Sequence, residues 1–198
     1  MQQYIDAQDQ LLELMFELQH SPKIGLACSC GRGSQSTICE TCIDPPVQCQ
    51  DCFVEKHRNL PGHWVKVWNH NGFFVRHDIS SLQGDSYALQ LGHEGQPCRS
   101  ACNARSFTLV DITGVHQTRI QYCQCVHSLD TKPGLYIEQL MHSRIFPGSL
   151  KDPKIGYTFS LLKTYSTLRH QGKLSAHQFV NSLRQLTDPV FPHKVAVS

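Results

Sequence analysis

GLACSCGRGSQSTICETCIDPPVQCQDCFVEKHRNLPGHW, residues 25 to 64, decides how this chain folds. It carries Cys28 and Cys30, then Cys39 and Cys42, then Cys49 and Cys52, and ends on His57 and His63. Thiolates and imidazoles in close pairs are zinc ligands, and two pairs close one tetrahedral site, so these eight residues suit two ions. A segment this short cannot build a self-sufficient core. Each closed metal loop supplies folding free energy that apolar burial cannot. Sequential wiring would put Cys28, Cys30, Cys39 and Cys42 on one ion and Cys49, Cys52, His57 and His63 on the other. Cross-braced wiring would join Cys28 and Cys30 to Cys49 and Cys52, leaving Cys39, Cys42, His57 and His63. His70 is the substitute should either terminal histidine not ligate, while His20 and His77 read as surface or core residues.

The composition around this stretch is that of a folded protein. The chain has 198 residues, 40% of them hydrophobic and 17% charged, enough for one or two domains and too few charges for a disordered tail. Ten cysteines with C-x-x-C pairs beside histidines favour reduced, metal-bound thiols over disulfides. The apolar run at residues 11–18 is broken by Glu13 and Glu17 and has no basic leader, so it does not read as a signal peptide. No apolar run is long enough to span a bilayer. The expectation is an intracellular chain without a membrane partner. The formal charge of +2 is no nucleic-acid signature, because ten thiolates on three zinc ions would take it to about −2.

Read in order, residues 3–20 repeat apolar positions at helical spacing (Tyr4, Ile5, Leu11, Leu12, Met15, Phe16, Leu18), and this stripe is expected to pack on the metal segment. After the ligands, residues 63–68 alternate as a strand with Trp64, Lys66 and Trp68 on one face, and Asn71-Gly72 marks a hairpin turn. Residues 107–112 and 115–122 form a second hairpin across Thr113-Gly114. That hairpin would carry Cys123 and Cys125 back beside Cys98 and Cys102, the arrangement of a ribbon-type site with four thiolates. His93 or His116 could replace one of these thiols. The cysteines then stop. Leu135 to Met141, a stripe of Thr158, Leu161, Leu162, Tyr165 and Leu168, and a capping box at Ser175 and Gln178 predict helices.

The order pair, C-x-x-C, C-x-x-C, His, His resembles a B-box zinc finger, and that resemblance favours the cross-braced wiring; the C-x-C opening departs from it. Over nearly the whole length, the run CSCG…CETC…CQDCFVEKH…GHWVKVWN, LQLGHEGQPC, FTLVDITGVHQTRIQYCQC, FPGSLKDPKIGYTFSLL and KLSAHQFVNSLRQLTD resembles the CxC-type (second class) cysteine-cluster domain associated with fungal KDZ transposases. The resemblance implies a cysteine cluster preceding a transposase catalytic domain, of which this chain would be a truncated copy. The expected fold class is α+β. Its parts are an amphipathic helix (1–23), a small cross-braced B-box-like two-zinc module (24–70), a β-rich zinc-ribbon-like module (71–130) and a helical segment (131–198).

Catalysis is not expected. Two-metal chemistry on DNA needs converging carboxylates, and Asp111, Asp78, Asp85, Glu94, Asp130 and Asp152 are scattered; every thiol has a metal assignment. With three Zn2+ ions per chain, the favoured role is a nuclear DNA-binding or targeting module using Lys56, Arg58, Trp64, Lys66, Trp68 and Arg76. The alternative is a protein-interaction or self-association module with purely structural zinc. A RING-like ubiquitin ligase ranks last, because the C-x-C opening and the terminal histidine pair fit RING spacing poorly. No small-molecule substrate is implied.

Overall fold

The computed structural model describes residues 2–125 and 135–197. The predicted boundary between residues 130 and 131, and Asp130 itself, lie outside the described residues, as does the side chain of Asp85. The architecture is mixed α+β, with seven helices and two sheets among the described residues. The chain divides into two compact units, Met1–Lys56 with Trp64–His77, and His57–His63 with Asp78–Ser198.

In the first unit, helices α1 (Gln2–Asp6) and α2 (Gln8–Glu17) replace the single predicted helix, with a break at Ala7. Every residue of α2 is exposed, so the apolar stripe does not pack on the metal segment as expected. A helical repeat is a local property. Burial needs a facing surface, and the chain supplies none here. Strands β1 (Thr37–Cys39), β2 (Val65–Trp68) and β3 (Phe74–His77) form an antiparallel sheet in sequence order, with Thr37 opposite Val67 and Val65 opposite His77. The turn between β2 and β3 uses Gly72 at φ 84°, a conformation that favours glycine. Helix α3 (Gln50–His57) lies between β1 and β2 in sequence.

The second unit begins its ordered body with a short helix α4 (Ser80–Gln83) and holds a five-stranded sheet. Its strands are β4 (Leu89–Gln90), β5 (Arg105–Asp111), β6 (Gly114–Gln121), β7 (Ile145–Pro147) and β8 (Ile155–Thr158), in the order β4-β6-β5-β8-β7. β5 and β6 are the predicted hairpin, closed one residue earlier than expected: Asp111 faces Gly114, so Ile112 and Thr113 form the turn. β7 and β8 fall in the segment expected to be helical, and β8 pairs parallel to β5.

Alternation along the strands gives the sheet two apolar faces. Leu89, Leu91, Phe107, Leu109, Ile120 and Tyr122 pack with Leu140 of α5 (Leu135–His142) on one face. Val110 and Val115 pack with Leu161 of α6 (Phe159–Gly172) and Leu183 of α7 (Ala176–Thr187) on the other. α6 starts where Thr158 accepts a hydrogen bond from the Leu161 amide, and α7 starts at the predicted capping box of Ser175 and Gln178. A Cβ at Gly156 would lie 2.7 Å from the Phe107 ring, so this strand passes the core only as glycine. Gly156→Ala should destabilise the second unit by about 1–3 kcal/mol through overpacking; a thermal melt followed by circular dichroism checks it.

Candidate metal centres

Three groups of four side chains each place their ligand atoms within 4.8 Å of one another: Cys28, Cys30, Cys49 and Cys52; Cys39, Cys42, His57 and His63; and His93, Cys98, Cys123 and Cys125. Each could hold a metal ion. The first two groups follow the cross-braced pairing.

The first group is built by two local turns. The Cys28 amide donates to Gly33 O and the Gly31 amide to Cys28 O, folding Cys28 and Cys30 into a tight loop with Gly31 at φ 72°. Cys49 and Cys52 lie at the start of α3, one just before its first residue and one in its first turn. Cys30 and Cys49 Sγ are 3.5 Å apart, and Cys28 and Cys52 Sγ 3.9 Å. A tetrahedron with metal–sulfur bonds of about 2.3 Å has edges of about 3.8 Å, so the donor set fits a zinc-sized ion. Backbone amides aim at the sulfurs, from Cys49 to Cys28 (3.5 Å) and from Arg32 to Cys30 (3.4 Å). The Cys30 and Cys49 amides bring the Cys28 thiol down to about 6. Cys52, among the neighbouring thiols of Cys30 and Cys49, is pushed up to about 12. The Arg32 guanidinium makes two 2.9 Å bonds to Glu55 and reaches within 3.9 Å of Cys52 Sγ, placing a cation beside a site that would carry excess negative charge.

In the second group, Cys39 ends β1 and accepts the Cys42 amide at 3.3 Å. His57 ends α3, and two successive turns, Leu60 N to His57 O and His63 N to Leu60 O, bring His63 back. The imidazole centroids are 5.5 Å apart.

The third group differs from the expected four thiolates. The hairpin does return Cys123 beside Ala101, but the fourth member of the group is His93, with Nε2 3.0 Å from Cys123 Sγ and 3.3 Å from Cys125 Sγ. Cys102 lies outside the group. Its thiol donates to Asn103 O at 3.4 Å and it packs against the sheet core. The reason is the alternation of the chain: the Cys102 amide pairs with Tyr122 O, in a register that turns its side chain away from the cluster. His116, the other predicted substitute, is fully buried between Asp78 (3.1 Å) and Thr113 (2.9 Å). Burial opposes ionisation of Cys98, yet hydrogen bonds from Cys125, Cys123 and the Ser100 amide outweigh it and bring this thiol down to about 6. Cys125 is pushed up to about 12 by Cys98 and Cys123.

Two supporting residues carried no sequence signal. Gln139 of α5 clamps the Cys123 backbone, accepting its amide at 2.8 Å and donating to its carbonyl at 3.0 Å. Gly92, at φ 91°, passes so close to Cys123 that a Cβ would sit 2.7 Å from the Cys123 Cβ.

The residues expected to contact nucleic acid do not form one open basic face. Trp64 is buried, with the Arg76 guanidinium 5.2 Å from its ring centroid. Arg76 donates two hydrogen bonds to the Glu40 carboxylate, at 2.7 and 2.5 Å, and Lys66 stands 3.9 Å from the same carboxylate. Trp68 is flanked by His20 and Phe74. Lys56 and Arg58 are exposed. Tryptophan here closes a small core.

A family model described as a CxC2-like cysteine cluster associated with KDZ transposases matches residues 82–190, more than half of the chain. The chain belongs to this family. The matched residues include the whole third group and exclude the first two. Neither the curated proteins nor the solved structures gave a significant match. No helix among the described residues is long and apolar enough to cross a membrane.

Two outcomes test the ligand sets. Cys102→Ser should leave the bound-metal content of the folded chain unchanged, whereas His93→Ala should lower it by about one ion, read by elemental analysis. Metal takes thiolates, so thiols held near 12, Cys52 and Cys125, must release protons on binding. Affinity should therefore fall as pH falls, by about tenfold per unit for each displaced proton. Competition with a chelator across pH measures that slope.

Proposed function

We propose that the chain is a non-catalytic, zinc-binding domain of a KDZ-transposase type protein, acting in the nucleus to bind or target DNA. The observation that carries it is closure: each of the three groups supplies four protein ligands, the complement of a structural zinc site, with no position left for substrate. The donor chemistry of thiolates with one or two imidazoles suits zinc over harder cations. The same three groups support a B-box-like cross-brace and a ribbon-like third site.

The non-catalytic reading is supported at Asp111, the acidic residue best placed by position. Its Oδ1 accepts from Thr158 at 2.5 Å and Ser160 at 3.3 Å, and its Oδ2 accepts from Thr113 at 3.1 Å. A carboxylate so engaged serves packing of the hairpin turn. The groove it lines also holds Glu94, Glu138 and Lys163, but among the described residues these carboxylates do not converge on a shared cation site.

A protein-interaction role is the second reading, and α2 is the observation that favours it. Its Leu11, Leu14, Met15 and Phe16 are all exposed beside Asp9, Glu13 and Glu17.

Zinc supplies the folding free energy of small modules, so chelation should unfold the metal segments and abolish binding to a labelled duplex together. Circular dichroism and fluorescence anisotropy on the same sample follow both. Duplex binding that persists after complete metal removal would overturn the zinc-dependent role.

A further inference from the structure

The charges of the chain are unevenly distributed. Residues 139–187 hold seven lysines and arginines and a single acidic residue, Asp152, which is itself paired with Arg105 at 3.3 Å. Helix α6 carries no acidic residue. It buries Leu161 against the sheet, and helical spacing turns Lys163, Thr167 and His170 toward the opposite side, with Ser166, Arg169 and Lys173 on the adjoining stripe. All six are exposed. Lys163, Arg169 and Lys173 make no ion pair among the described residues, in contrast to Lys66 and Arg76, which both contact the Glu40 carboxylate.

Cations and hydroxyl groups on one continuous face match phosphate oxygens, which accept from both. α6 has 14 residues and is therefore about 21 Å long, enough to lie along several phosphates of a duplex. Lys173 adds a backbone clue. It holds φ 52° at the end of α6, a left-handed position that glycine occupies at lower cost.

We propose that the solvent face of α6, with Lys163, Arg169, His170 and Lys173, is the surface that contacts the phosphate backbone of duplex DNA. This rests on the DNA-binding reading above and moves the contact away from Trp64, Lys66 and Arg76.

The test uses the full metal-loaded chain and a short labelled duplex, titrated by anisotropy between about 50 and about 200 mM salt. Three proteins are compared: the unaltered chain, a Lys163→Gln, Arg169→Gln, Lys173→Gly variant, and a Lys56→Gln, Arg58→Gln variant. All these substitutions are exposed, and glycine relieves the left-handed residue, so the α6 variant keeps its melting temperature. The α6 variant should bind every duplex sequence more weakly, with the slope of log K against log salt reduced by about 2.7 for three lost phosphate contacts. The Lys56 and Arg58 variant should keep the original slope. Tight binding by the unaltered chain with no change in the α6 variant would overturn this placement and leave the DNA reading standing. Absence of binding by the unaltered chain at low salt would overturn both. Sedimentation showing self-association that the α6 variant loses, without DNA binding, would assign this face to the acidic α2 of a second copy and overturn the proposal.

Discussion

The convergence of the Cys28, Cys30, Cys49 and Cys52 sulfurs on one point is the constraint on which the first unit depends. Among its described residues the buried apolar side chains apart from cysteine are Phe53, Val54, Trp64 and Val65. That is far too little to offset the chain entropy of so many ordered residues. Cys28, Cys39 and Cys49 are buried with them, so these thiols belong both to the core and to the candidate metal groups. The β1–β2–β3 sheet and α3 are best understood as the shortest frame that presents these sulfurs at the right separation.

The second unit rests on a different physical basis. Its sheet has apolar side chains on both faces and helices covering each, which is how an ordinary α+β domain gains stability. One four-ligand group still sits at the end of its hairpin, and Gln139 ties that group to α5 through the Cys123 backbone. A metal held there would add its four bonds to the apolar packing of this unit.

Charge separates the two units as clearly as packing does. The first carries five lysines and arginines against eight acids, and the second thirteen against eight. Thiolate ligation by zinc would leave the four-cysteine group of the first unit more negative still. A formal charge of +2 for the whole chain conceals this polarity. A net charge describes solubility better than it describes a binding face.

Most of the candidate ligand grouping was legible in sequence, because the pairs are local: C-x-C and C-x-x-C bring sulfurs together within one turn whatever surrounds them. The hairpin that returns Cys123 and Cys125 and the α7 capping box were likewise determined by neighbouring residues, whereas Thr158, read as part of the α6 stripe, is its N-cap. Tertiary structure alone decided which pairs converge, and that His93 stands where Cys102 was expected, since strand register turns Cys102 toward the core. It also decided that β7 and β8 join β5 across long sequence separations, that Lys66 and Arg76 both contact the Glu40 carboxylate, and that α2 finds no apolar partner. Local spacing determines which atoms can be ligands; only the packed chain determines which of them meet.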